Sequence, residues 1–137
     1  MTLNVRVIAP DKTIWDDECQ EIILPSSTGQ LGILSGHAPL LTALDVGVMR
    51  VRPEKDWLAI ALFGGFAEVE DNTVTILVNG AQRGDEINRE QAKAEYDEAV
   101  AAFDKVTEDD RQGKIQAEQA LKRKRSLFQA SGGMVQS

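Results

Sequence analysis

The chain has 137 residues, 42% of them hydrophobic and 27% charged, with a net charge of −7. That is one domain, or one domain with an appendage, and enough apolar side chains for a modest core. The acidic balance excludes general nucleic-acid binding by the whole molecule. The longest apolar run, residues 58–63, is far shorter than the roughly 20 residues of a membrane helix. No basic start followed by an apolar stretch marks a signal peptide. The single cysteine, Cys19, allows no internal disulfide and points to a reducing compartment.

Residues 3–9 set Leu3, Val5 and Val7 against Asn4 and Arg6, the alternation of a half-buried strand. Residues 18–24 form a second candidate strand, and residues 25–29 carry turn chemistry. Residues 29–41, GQLGILSGHAPLL, hold three glycines, Pro39 and the only histidine, His37. Gly29, Gly32 and Gly36 let the backbone take positive φ or approach a neighbour closely. The spacing predicts a stiff loop or strand–turn–strand corner, apolar at Leu31, Ile33 and Leu34. Residues 46–52 alternate again, and residues 53–56 turn the chain. Residues 57–63 are apolar on both faces, as a central strand is. Ala67 and Val69 alternate with Glu68 and Glu70 up to Asp71-Asn72, a pair suited to the left-handed conformations of a tight hairpin. Residues 73–78 return, and Asn79-Gly80 ends them. Short strands with frequent turn signals predict an antiparallel β-sandwich or barrel over residues 1–84.

The pattern changes near Asp85. Ala92, Tyr96, Ala99, Val100, Phe103 and Val106 recur at spacings of three and four, which puts them on one helical face. The predicted helix spans residues 88–106, with Asn88 as N-cap and Gln91 completing a capping box. A second helix is predicted over residues 109–129, with a thin stripe of Ala117, Ala120, Leu121, Leu127 and Phe128. Gly113 weakens its start by about 1 kcal/mol relative to alanine. Residues 131–137 read as a frayed tail. The fold class is therefore α+β: an antiparallel β-sandwich in residues 1–84, then an antiparallel two-helix hairpin in residues 85–137. The hairpin buries little apolar area and is marginal alone.

Charge is unevenly placed. Residues 1–83 carry −5, residues 84–110 carry −7 and residues 111–137 carry +5. The positive end is concentrated in Lys122, Arg123, Lys124 and Arg125. At about 100° per residue these fan round most of the helix. Some can pair with Glu95, Asp97, Glu98 or Asp104 of the first helix, and others must point outward. They either complement the helix dipole as a solvated basic end or dock on an acidic partner. No metal site is readable: there is one histidine, one cysteine and no HExxH or CxxC spacing. No phosphate-cradling glycine loop leads into a helix. A catalytic role for His37 lacks a second polar group in a recognisable context. The residues alone leave open a free-standing sandwich that recognises a small ligand or peptide through the glycine-rich stretch.

Three stretches carry a resemblance: MTLNVRVIAPDKTIWDDECQEIILPSSTG, GQLGILSGHAPLLTALDVGVMRVR and DWLAIALFGGFAEVEDNTVTILVNGAQRG. They resemble the epsilon subunit of F-type ATP synthases, in its cyanobacterial and plastid branch. The resemblance implies a subunit without catalytic residues, coupling the c ring and γ to the catalytic head. It implies that the sandwich packs against γ and rests on the c ring, through Gln30, Leu31, Ile33, Ser35 and His37. It implies that the hairpin either folds beside the sandwich or extends along γ into the head of α and β subunits. There Lys122, Arg123, Lys124 and Arg125 face an acidic segment of β and restrain ATP hydrolysis. The implied location is peripheral, on the cytoplasmic or stromal face of an energy-transducing membrane of thylakoid type, without membrane insertion. Some bacterial relatives bind ATP through I/L-D-x-x-R-A. Here the run is Ile87-Asn88-Arg89-Glu90-Gln91-Ala92, with Asn88 for the aspartate and Gln91 for the arginine. Losing the guanidinium removes a fixed fork of phosphate donors, so no nucleotide cofactor is expected.

Overall fold

The protein is described here from a computed structural model that covers residues 2–133. The strands are β1 (Leu3–Ala9), β2 (Lys12–Cys19), β3 (Glu21–Ser26), β4 (Gly29–Leu34), β5 (Leu40–Arg52), β6 (Leu58–Glu70), β7 (Thr73–Val78) and β8 (Ala81–Arg83). A 3-10 turn, Gly84–Glu86, leads to α1 (Arg89–Lys105) and α2 (Arg111–Ala130). The hydrogen-bonded order is β2-β1-β7-β6-β5-β3-β4, with β8 also on β6. All pairs are antiparallel except β1 with β7, which is parallel.

Alternation builds the core. Leu3, Val5 and Val7 of β1 and Val74, Ile76 and Val78 of β7 point inward. They meet Ile22, Leu24, Ile33, Met49, Val51, Ile60, Leu62 and Val69 in one cluster. Cys19 is part of that core. Burial pushes its thiol up to about 11, so it stays protonated at neutral pH. Burying such side chains is the main favourable term in folding.

Of the two readings of residues 29–41, the strand–turn–strand corner holds: residues 29–34 form β4, and β5 starts at Leu40. Leu31 and Ile33 pair with Leu24 and Ile22 of β3, and the apolar side chains that pattern a tip in sequence pattern a strand in three dimensions. Gly29 (φ 127°) and Gly36 (φ 86°) do occupy the left-handed half of the map, whereas Gly32 does not. The strand β2 has no legible alternation, because its middle is largely exposed and reads Lys-Thr-Ile-Trp-Asp-Asp-Glu. Asp71 (φ 50°) and Asn72 (φ 61°) make the two-residue turn between β6 and β7 that their residue types predict.

β5 and β6 are 13 residues each, longer than the segments legible in sequence. Gly64 (φ 86°) and Gly65 (φ 153°) let β6 pass from its pairing with β8 to its pairing with β7. A side chain at Gly65 has no room, since its Cβ would lie 2.1 Å from the Leu77 carbonyl oxygen. The first half of β6 is covered on both faces. Ile60 and Leu62 face the sandwich core, while Ala59, Ala61 and Phe63 meet α2 together with Val48 of β5.

Helix α1 begins at Asn88, whose side chain accepts from the Gln91 amide at 3.0 Å. Helix α2 begins at Asp110, which accepts from Gly113 N at 3.0 Å. A Cβ at Gly113 would lie 2.3 Å from the Asp110 carboxylate, so this glycine fits the cap closely. Tyr96 of α1 stacks on Phe128 of α2 with centroids 5.9 Å apart. Residues 131–133 are not frayed: Gly132 takes φ 99°, and Gly133 N donates to Phe128 O at 2.9 Å. Arg89 Nε also donates to Ser131 O, at 3.1 Å. The rest of the expected tail, residues 134–137, lies outside the described residues.

Gly65→Ala should lower the unfolding free energy by about 2 kcal/mol or more, through strain and a backbone clash. Gly32→Ala, with nothing within 4 Å of its Cβ, should be neutral or stabilising by up to about 1 kcal/mol. Urea denaturation of both variants checks this contrast.

Candidate functional site

Two surfaces stand out, one at the β4 edge and one along α2. Between Glu21 and Asp45 the chain carries no Asp, Glu, Lys or Arg. That uncharged stretch contains β4, an edge strand of the sheet. Alternation decides what it presents. Gln30 and Leu34 are exposed, Leu34 by 55%. Leu31 is half-buried against the core, and Ile33 is fully buried within it. Ile33 therefore cannot serve as the contact residue that the sequence suggested; its side chain faces β3 and the sandwich interior. Leu34 is the residue the sequence reading underused, and its parity with Gln30 and Gly32 was the available signal.

Beyond β4 the chain is held by its neighbours. Gly36 N donates to Asn72 Oδ1 at 2.7 Å, and Asn4 N donates to Asn72 O at 2.8 Å. One turn residue thus ties β1, the β6–β7 hairpin and the segment after β4. His37 N donates to Leu34 O at 3.1 Å, and its Nδ1 lies 2.7 Å from the Ala38 carbonyl oxygen, which can only accept. Ser35 and His37 are both half-buried.

The four residues of the basic block in α2, Lys122 to Arg125, go to four different places. Lys122 Nζ lies 3.9 Å from Asp45 Oδ2 on β5. The Arg123 guanidinium sits over the Phe63 ring of β6, 5.1 Å from its centroid. Lys124 Nζ donates to Glu95 Oε1 of α1 at 3.0 Å. Arg125 Nε is buried and has no hydrogen-bond partner. The block therefore faces inward more than its 100° fan suggested, because α2 is flanked by the sheet on one side and α1 on the other. Of the four acidic residues named for pairing, Glu95 does so, while Asp97 pairs with Lys93 on its own helix at 2.9 Å. Asp45 and Phe63 carried no sequence signal for this role, since they lie 77 and 60 residues from Lys122 and Arg123 in the chain.

The run from Ile87 to Ala92 borders a cleft of about 340 Å³, lined also by Gln82, Glu86, Glu95 and Lys124. Asn88 uses its side-chain oxygen to cap α1. Among the described residues Lys124 is the only cation lining the cleft, and it is paired with Glu95. Among the described residues no group of three His, Cys, Asp or Glu side chains is placed to hold a metal ion. No described helix is long and apolar enough to cross a membrane.

A sandwich with a helical hairpin laid on one face, an uncharged edge and an internally paired basic block defines a protein that works by contact. Residues 2–84 match the family model described as ATP synthase, Delta/Epsilon chain, beta-sandwich domain. The ATP synthase epsilon chain of Nostoc punctiforme is 66% identical over 137 residues, covering 98% of this chain and all of that one. That of Synechococcus elongatus is 64% identical over 135 residues, with 98% of each chain covered. Among solved structures, a chain of the Euglena gracilis mitochondrial ATP synthase superposes with a TM-score of 0.79 at 26% identity, over 95% of this chain and 81% of that chain. A chain from the Tetrahymena thermophila mitochondrial ATP synthase shares the fold, with a TM-score of 0.61 at 18% identity over 96% of this chain and 97% of that chain.

The chain belongs to the epsilon-chain family of ATP synthase. It is a central-stalk subunit with a structural and regulatory part in that complex, not a catalytic chain and not a free-standing binding module.

Ile33→Asp should abolish cooperative folding or lower stability by several kcal/mol, because it buries an unpaired carboxylate. Leu34→Asp should stay within about 0.5 kcal/mol of the parent. Circular dichroism with urea titration separates the two.

Proposed function

We propose that the hairpin in this folded position is the resting form of a brake on ATP hydrolysis. The observation that carries the reading is how lightly the basic arm is held. Helix α1 packs on α2, and α2 reaches the sheet through a small apolar seat of Val48, Ala59, Ala61 and Phe63 against Leu127 and Ala130. The ion pairs of Lys122 and Lys124 are each about one third or more exposed. Such pairs contribute only about 0–1 kcal/mol each. Release of α2 then exposes Lys122, Arg123, Lys124 and Arg125 to an acidic surface of a β subunit. A two-state element of this kind is shifted by whatever binds one state better.

In the same reading the uncharged β4 edge, with Gln30, Leu34, Ser35 and His37, faces γ and the polar loops of the c ring. The subunit then lies peripherally on the cytoplasmic or stromal side of a thylakoid-type membrane. The family membership and the cyanobacterial relatives support this placement. The Leu34→Asp variant, folded as above, should assemble poorly with the rest of the stalk in a reconstitution pull-down.

Replacing all four basic residues by alanine should relieve inhibition of ATP hydrolysis and leave assembly and coupled synthesis largely intact. Asp45→Asn with Glu95→Gln, which loosens the folded form, should instead strengthen inhibition. Inhibition should weaken as salt rises beyond physiological ionic strength, where the Debye length falls below about 8 Å. A quadruple variant that inhibits like the parent would overturn the electrostatic account. Hydrolysis assays on the reconstituted complex read all three.

We also infer that the cleft at residues 87–92 takes no nucleotide. Glu86 and Glu95 oppose a polyphosphate there, and its one cation is already paired. Calorimetry of the full chain should show no ATP binding at micromolar concentrations; a micromolar dissociation constant sinks this inference.

A further inference from the structure

The seam between α2 and the sheet is apolar on one side only. Leu127 and Ala130 fill that side. Beside them, Lys122, Arg125, Ser126 and Gln129 follow one another at i, i+3, i+4 and i+7, so they share one helical face. They line a cleft of about 300 Å³ whose opposite wall is Asp45, Val46 and Gly47 of β5. A helix face turned toward a sheet is ordinarily apolar. This one brings two cations and an amide against one carboxylate.

The groups in the cleft do not satisfy one another. Lys122 Nζ is 3.9 Å from Asp45 Oδ2, too long for a hydrogen bond. The other Asp45 oxygen accepts from Val46 N at 2.8 Å. Ser126, only 1% exposed, donates to the Arg123 carbonyl at 2.7 Å. Arg125 Nε is left buried with no acceptor among the described residues. A buried N–H of a charged side chain without a partner is rare and calls for one.

We propose that this cleft binds a small phosphate-type oxyanion, held between Lys122 and Arg125 and tying α2 to β5. The guanidinium offers a fixed fork of donors suited to phosphate oxygens, and the lysine adds a mobile point charge. The Gln129 amide supplies a further donor on the same face. Asp45 stands on the opposite wall and limits the affinity by repulsion. The site is distinct from the cleft at residues 87–92, which Lys124 and Leu127 line. Because it needs both α2 and β5, the anion binds only the folded hairpin and stabilises it by mass action. That consequence for regulation rests on the brake reading; the binding itself does not, and it is measured on the isolated full chain.

Inorganic phosphate is titrated into the full chain and followed by phosphorus NMR. Thermal unfolding is recorded in phosphate and in chloride at equal ionic strength. Saturable binding and a phosphate-specific rise in unfolding temperature are expected. Arg125→Gln should weaken binding about tenfold or more, and Asp45→Asn should tighten it several-fold. Arg111→Gln, a cation of the same helix outside the cleft, should bind like the parent. Glycerol phosphate distinguishes the source: tighter binding than phosphate assigns a phosphate ester, weaker binding assigns the free ion. Phosphate no better than chloride overturns the proposal. So does binding that survives Arg125→Gln but is lost in Lys124→Gln, which moves the anion to the other cleft.

Discussion

The paired strands β5 and β6 are covered on both faces along part of their length, and this double burial organises the molecule. A strand has only two faces, and in residues 59–63 alternate side chains go to different cores. Ile60 and Leu62 close the sandwich, while Ala59, Ala61 and Phe63 receive α2. The small residues on the outer face let the helix approach the sheet closely. Gly64 and Gly65 then release β6 from this arrangement and turn it toward β7. Beyond that point its outer face is open, and Phe66 is 58% exposed.

From that seat the hairpin is built outward in order of decreasing contact. Helix α2 rests on β5 and β6; α1 rests on α2. The helix with the positive charge is therefore the inner one. Its cations meet Asp45, Phe63 and Glu95 on three neighbouring elements. Helix α1, with five carboxylates against three cations, lies outside, where solvation accommodates its carboxylates. The joints are helix caps at Asn88 and Asp110 and a glycine C-terminus at Gly132, all of which work locally. These joints act within the hairpin, and its attachment to the sandwich runs mainly through α2, which makes movement as a unit physically reasonable.

The two candidate surfaces obey opposite rules. The β4 edge lacks charge, and Asn72 pins the segment that follows it, so its shape is preformed. The basic block is charged, partly internally paired and partly unsatisfied, so its state depends on what else is present. The proposed function uses both kinds: a fixed foot and an arm whose attachment can be altered.

Much of this was legible in the sequence because it rests on local physics. Alternation revealed β1, β7 and the ends of β5 and β6. Spacings of three and four revealed both helices, and residue type revealed the Asn88 cap and the Asp71-Asn72 turn. The reach of the apolar residues 57–63 to both faces announced two covers without naming them. For residues 29–34 the sequence left a stiff loop and a strand–turn–strand corner both open, because the strand pairing with β3 that decides for the corner is a non-local fact. It missed β2, whose exposed and charged middle has no period. It could not say that Ile33 is core and Leu34 surface, since a one-residue change of parity exchanges the two faces. Nor could it choose the partners of Lys122, Arg123 and Lys124. Composition and period determined most of the elements and that one helix is basic. Which face of that helix lies against the sheet was decided only when distant segments packed, because side-chain pairing depends on contacts across the whole chain.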